Sequence, residues 1–96
     1  MTSVRLSPRA QADLIEIWRY TETRWGADLA ESYIQDIRQV IERAAVNPTQ
    51  GRACDEIRAG YRRLTARSHL VFYRPVPASI EVIRILHQRM DIDRQL

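Results

Sequence analysis

Two amphipathic stripes separated by a single glycine constrain this chain more than any other feature. Leu14, Ile17, Trp18, Thr21 and Trp25 recur at steps of three and four residues, with Asp13, Glu16, Arg19 and Arg24 off the stripe. That period belongs to a helix with one buried face. Ser7 is a capping residue, and Pro8 suits the first helical position, where its missing N–H has no intrahelical partner. The helix ends near Gly26, the residue type that most cheaply takes the left-handed conformation closing a helix. A second stripe follows at Ala30, Tyr33, Ile34, Ile37, Ile41 and Ala44, flanked by Glu31, Asp36, Arg38, Glu42 and Arg43, and stops at Asn47-Pro48. So short a connection forces an antiparallel hairpin whose two stripes face a common layer. At this spacing Trp18, Trp25 and Tyr33 read as core side chains.

The layer they face is a sheet. Val4-Arg5-Leu6 alternates apolar, charged, apolar and reads as a short strand before the first helix. The polar stretch from Asn47 to Glu56 is a loop. Three strand-like runs come next, Ile57 to Leu64, His69 to Arg74 and Ile80 to His87, with short turns that make them an antiparallel meander. The fold class is therefore α+β: an N-terminal strand, an antiparallel helical hairpin and a three-stranded antiparallel meander, with the helices packed on one face of the sheet. From Gln88 to Leu96 the chain is polar, anchored by Met90 and Ile92, and reads as a short helix or a frayed end. At 96 residues the expectation is one domain over 1–96. A chain this short buries only about 60–65% of the surface that unfolding would expose, so a bound partner would add to its stability.

Counting faces predicts where that partner sits. Side chains alternate along a strand, so Glu81, Ile83, Ile85 and His87 share one face, and Ile80, Val82, Arg84 and Leu86 the other. On the middle strand Val71 and Tyr73 oppose Leu70, Phe72 and Arg74. One hairpin covers one face. Val71, Tyr73, Ile83 and Ile85 are expected beneath it, leaving Leu70, Phe72, Val82 and Leu86 exposed beside Arg74 and Arg84 as a groove for an amphipathic partner segment. The competing reading is that the C-terminal tail folds over this face.

All 15 cations are arginines, and the net charge is +3. Residues 1–51 carry six Arg against seven acids, and 52–96 carry nine against five, so the second half holds the working surface. Arginine fits contact with nucleic acid or an acidic partner, although GC-rich codon usage gives the same bias. Cys54 alone supports neither an internal disulfide nor a metal site, which points to the cytoplasm. No run approaches the roughly 20 apolar residues that cross a bilayer, and residues 1–5 have no secretory character. No cofactor, metal or membrane contact is expected.

Several segments, in order, resemble the ParE branch of the ParE/RelE toxins. They are Leu6-Ser7-Pro8-Arg9-Ala10 with Asp13-Leu14, Ile17-Trp18, Trp25-Gly26, Ala59-Gly60-Tyr61-Arg62-Arg63-Leu64, the His69 to Arg74 strand, and the run from Ile83 to Asp91. The resemblance implies the toxin of a type II toxin–antitoxin system, held inactive by a ParD-type antitoxin encoded beside it. In that family the antitoxin's C-terminal arm wraps the toxin. Its ribbon–helix–helix domain binds operator DNA, so the toxin meets DNA only indirectly, and the freed toxin poisons DNA gyrase. An antitoxin segment would then fill the groove of Leu70, Phe72, Val82 and Leu86, with its acidic groups on Arg74 and Arg84. Family behaviour also marks the C-terminal Arg89, Met90 and Asp91 as candidates for toxicity.

RelE-like relatives use a similar fold to cut mRNA on the ribosome, and fold alone does not choose between the two activities. RNA cleavage by a 2′-hydroxyl needs a base, an acid and cations for the phosphate. His69, His87, Tyr61, Arg62, Arg63 and Arg84 lie on the predicted strands. His87, Arg84 and Arg62 form the catalytic set if the chain is such an enzyme, because His87 falls where some ribosome-dependent relatives carry a catalytic histidine. Those relatives use lysine, absent here, or a glutamate base with an arginine and a histidine. By alignment their glutamate and mid-sheet arginine fall on Arg52 and His69. His87 otherwise reads as a strand-end imidazole bonded to backbone or tail. The sequence thus favours a binding protein over an enzyme, with a regulatory subunit that has lost toxicity as a third reading.

Overall fold

In the computed structural model, which describes residues 4–96, β1 (Val4–Leu6) leads directly into α1 (Pro8–Trp25). Ser7 caps that helix, its Oγ accepting the Ala10 N–H at 3.0 Å, and Pro8 occupies the first position. Gly26 alone joins α1 to α2 (Ala27–Val46), at φ 93°, a conformation that any side chain would strain. Its N–H donates to Glu22 O at 2.8 Å, closing α1. The hairpin is therefore as tight as the sequence implies.

After α2 come β2 (Arg52–Ala53), β3 (Arg62–Ala66), β4 (His69–Val76), β5 (Ser79–His87) and α3 (Ile92–Gln95). They form one five-stranded sheet in the order β1-β5-β4-β3-β2, antiparallel except for β1, which runs parallel to β5. Two features depart from the sequence reading. A two-residue strand, β2, lies within the expected loop. The run expected to be extended from Ile57 instead stays in turns until Tyr61: the N–H groups of Ile57 and Arg58 donate to Cys54 O, and Asp55 Oδ1 accepts the Gly60 N–H. Local Asp and Gly turn bonding outcompetes strand pairing over these residues.

The helices cover one face of the sheet. Ile17, Ile34, Ile37, Ile41 and Ala44 pack there against Val71, Tyr73, Ile80, Val82 and Ile85, with Leu14, Trp18 and Tyr33 at the margin. The opposite face holds Cys54, Phe72 and Leu86 with Leu70 beside them on β4, closed over by Ile57, Tyr61, Ile92 and Leu96. The open groove expected there is corrected: Phe72 and Leu86 are 0% and 1% exposed because the 54–61 turns and the C-terminal segment lie on them. Val82 is corrected more strongly, since it is fully buried on the helical side. The cause is a β-bulge. Phe72 pairs with Arg84 but Tyr73 pairs with Val82, so Ile83 is the extra residue, and Ile80 and Val82 join Ile85 on one face. Counting by twos across the bulge assigns them to the wrong side. Among the described residues no helix is long and apolar enough to cross a membrane.

Candidate functional site

The residues expected to act together are spread over several environments. Arg62 is bound into the fold: its Nη1 donates to Gly51 O at 2.7 Å and Thr49 O at 3.3 Å. It thereby ties β3 to the loop leaving α2. Arg84 is held by Asp13, with Nε and Nη2 donating to the two carboxylate oxygens at 2.8 and 3.0 Å, and Nη1 reaches Gln95 O at 3.2 Å. This pair is only 13–14% exposed in its side chains. Its partner is thus intramolecular, where an acidic group of another protein was expected. Arg74 lies at the surface and pairs with Glu81 at 2.8 Å. Leu70 is partly buried, and Arg89, Met90 and Asp91 are exposed after β5.

His87 does not converge with Arg62. Ala66, His69 and His87 stand opposite one another across β3, β4 and β5, and Arg62 lies four residues further along β3. At ordinary strand spacings that is about 13 Å along the strand and about 10 Å across. His69 and His87 do come together, as cross-strand neighbours with ring centroids 5.2 Å apart at 81°. Tyr33 reaches over from α2 to complete the group, its hydroxyl 2.7 Å from His69 Nδ1.

The proton positions in this group follow from its donors. The Ser68 N–H donates to the Tyr33 hydroxyl at 3.2 Å, which leaves that hydroxyl free to donate to His69 Nδ1. The Arg89 N–H donates to His87 Nδ1 at 3.1 Å. The tautomer that satisfies both contacts with Nδ1 as acceptor carries its proton on Nε2, so in that assignment each ring offers a donor there. Burial, aided by the neighbouring His87 and opposed by Asp13, pulls the His69 pKa down from 6.5 to about 4, which keeps that ring neutral. A metal ion would need a bare Nε2, and among the described residues no group of three or more His, Cys, Asp or Glu is placed to hold one.

Both imidazoles line a hollow of about 280 Å³ at the α1–α2 turn, with Tyr33, Arg67 and Ser68 beside them. Its apolar wall is Tyr20, Trp25 and Leu29, which are 57%, 60% and 40% exposed. Reading Trp25 as core is thus corrected: it occupies the last turn of α1 and lies on the open side of the hollow, largely exposed. The sequence reading missed this hollow altogether. The available signal was two large aromatics, Tyr20 and Trp25, crowded at the end of a helix that Gly26 cuts short.

The chain matches, over residues 4–92, the family model described as ParE toxin of type II toxin-antitoxin system, parDE. It is 59% identical over 92 residues to Toxin ParE1 of Mycobacterium tuberculosis (strain ATCC 25618 / H37Rv), covering 95% of this chain and 94% of that one. Toxin ParE1 of Caulobacter vibrioides is 47% identical over 91 residues, with the same coverage. Among solved structures, a chain of the chromosomal ParDE TA system from P. aeruginosa superposes with a TM-score of 0.77 at 25% identity, covering 91% of this chain and 96% of its own.

Proposed function

This chain belongs to the ParE toxin family of type II toxin–antitoxin systems, and on that premise we propose that residues 1–96 form one cytoplasmic toxin domain that acts by binding. A ParD-type antitoxin neutralises it by direct contact and links it indirectly to operator DNA, and the freed toxin inhibits DNA gyrase. The observation that carries the binding mode is the engagement of its cations. Arg62 is committed to loop carbonyls and Arg84 to Asp13, and neither stands beside His87 to stabilise a phosphate in a cleavage reaction. For the antitoxin, Leu70 and Arg74 are reachable on the sheet as it stands. Phe72 and Leu86 are reachable only if the segment over them moves. Arg89, Met90 and Asp91 lie exposed for a target.

A purified-component supercoiling assay beside a ribosome-bound mRNA cleavage assay tests this reading. Loss of supercoiling with intact mRNA is the expected result, and mRNA cleavage with untouched supercoiling overturns it. One observation favours ribosome-dependent mRNA cleavage as a second reading, the grouping of Tyr33, His69 and His87 beside Arg67. In that case His87→Ala abolishes the cleavage.

A further inference from the structure

The hollow at the α1–α2 turn has an apolar wall that neither reading above uses, and its chemistry narrows what it can take. Tyr20, Trp25 and Leu29 form a contiguous apolar wall that is mostly exposed, an arrangement that marks contact sites on small proteins. Trp25 meets Tyr20 edge-on with centroids 6.3 Å apart, and Arg24 lies over the Tyr20 ring at 4.8 Å, so the aromatic wall is braced and its rim is cationic. At the polar end stand Arg67 and the two imidazoles, each ring with Nε2–H as its remaining polar group. No carboxylate lines the hollow among the described residues. A complementary ligand is therefore apolar at one end and a hydrogen-bond acceptor, best a carboxylate, at the other.

We propose that this hollow docks an acidic amphipathic segment of the antitoxin, with an apolar side chain entering between Trp25, Leu29 and Tyr33 and a neighbouring carboxylate meeting His87 and the arginine rim. A large apolar anchor seated in a pocket with charge-assisted bonds at its edge is the arrangement that concentrates binding energy in few residues. Arg67 is already paired with Asp36, at 2.6 Å, and stays 45% exposed, so it can turn toward a second carboxylate without leaving a buried charge. The inference rests on the reading that an antitoxin binds this toxin directly. It adds the surface and the chemistry of the segment.

The test uses the full-length antitoxin encoded beside the toxin gene and the intact toxin. Trp25→Ala and Leu29→Glu should each weaken binding by about tenfold or more. Val46→Ala, at the exposed far end of α2, should bind as the parent does, and circular dichroism should show all three folded. In a Trp18→Phe background Trp25 is the only tryptophan. Its emission should shift to the blue, and it should become protected from iodide quenching, when the antitoxin is added. Parent-like affinity in both hollow variants, with Trp25 still open to iodide in the complex, overturns the docking site and leaves the toxin–antitoxin reading standing. Failure of the unaltered toxin to bind overturns both. Protection of Trp25 in the free toxin as its concentration rises, with a dimer in sedimentation, assigns the hollow to a second copy and also overturns the proposal.

Discussion

The carboxylate of Asp13 on α1 accepts the backbone N–H of Ile85 on β5 at 2.9 Å, completing a strand edge that β1 is too short to cover. β1 ends opposite Val82, and beyond that point side chains of the next element take over the pairing. Ser7 Oγ donates to Ile83 O at 2.6 Å, and Asp13 takes the Ile85 N–H while gripping Arg84 with both oxygens. One helix start therefore does three jobs: it caps itself, pins the bulge and neutralises a largely buried arginine.

Asp13→Ala is accordingly expected to be costly. It strands the Arg84 guanidinium, 13% exposed, and orphans a backbone N–H, for a loss of about 3 kcal/mol. Asp13→Asn keeps an acceptor for Ile85 and should lose roughly half as much. Urea unfolding of both variants checks the order, and equal losses would show that the backbone bond contributes nothing.

The bulge at Ile83 makes a sharp contrast between neighbours. Val82 is fully buried under the helices, so Val82→Asp should prevent folding, since an unpaired carboxylate there has no partner. Ile83 is only partly buried, and Ile83→Asp should leave a folded protein with a cost nearer 1–2 kcal/mol. Thermal melts by circular dichroism read the difference directly. This is the reverse of what simple strand alternation predicts.

Gly51 and Tyr73 form a second lock. The Tyr73 hydroxyl accepts the Gly51 N–H at 2.9 Å and donates to Pro48 O at 2.8 Å, and a Cβ on Gly51 would collide with the ring. Gly51→Ala must push the loop or the ring away and should destabilise by about 1–3 kcal/mol. Tyr73→Phe leaves the Gly51 N–H unpaired and should cost about 1–2 kcal/mol. Denaturant titration measures both, and a parent-like midpoint for Gly51→Ala would refute the tight packing.

His69 predicts a pH dependence. Its folded pKa of about 4 lies below the unfolded 6.5, so between these values the unfolded chain binds more protons and stability falls as pH falls. The contribution is fully present above pH 6.5 and lost on the way down to about 4, amounting to no more than about 3 kcal/mol. His69→Gln should flatten the stability–pH curve in that window relative to the parent. A variant curve parallel to the parent's would show that the ring titrates normally.

How much of this was written in the sequence depends on the range of the interactions. The α1 cap, the Gly26 turn, the hairpin and its core stripe rest on contacts a few residues apart and on helical periodicity, so Ser7, Pro8, Gly26 and Ile34 to Ala44 announce them. The meander was legible for the same reason, and so was the family, carried by motifs in order. Only the tertiary structure decided the rest. The bulge at Ile83 comes from how β5 meets β4 and the start of α1, and a one-residue slip reverses the face of Ile80 and Val82 without leaving a trace in the local pattern. Coverage of Phe72 and Leu86 depends on Ile57, Tyr61, Ile92 and Leu96 arriving from distant positions. The meeting of Tyr33, His69 and His87 depends on docking a helix across two strands. Periodicity says which side chains want burial, and the long-range packing of the folded chain decides which ones receive it.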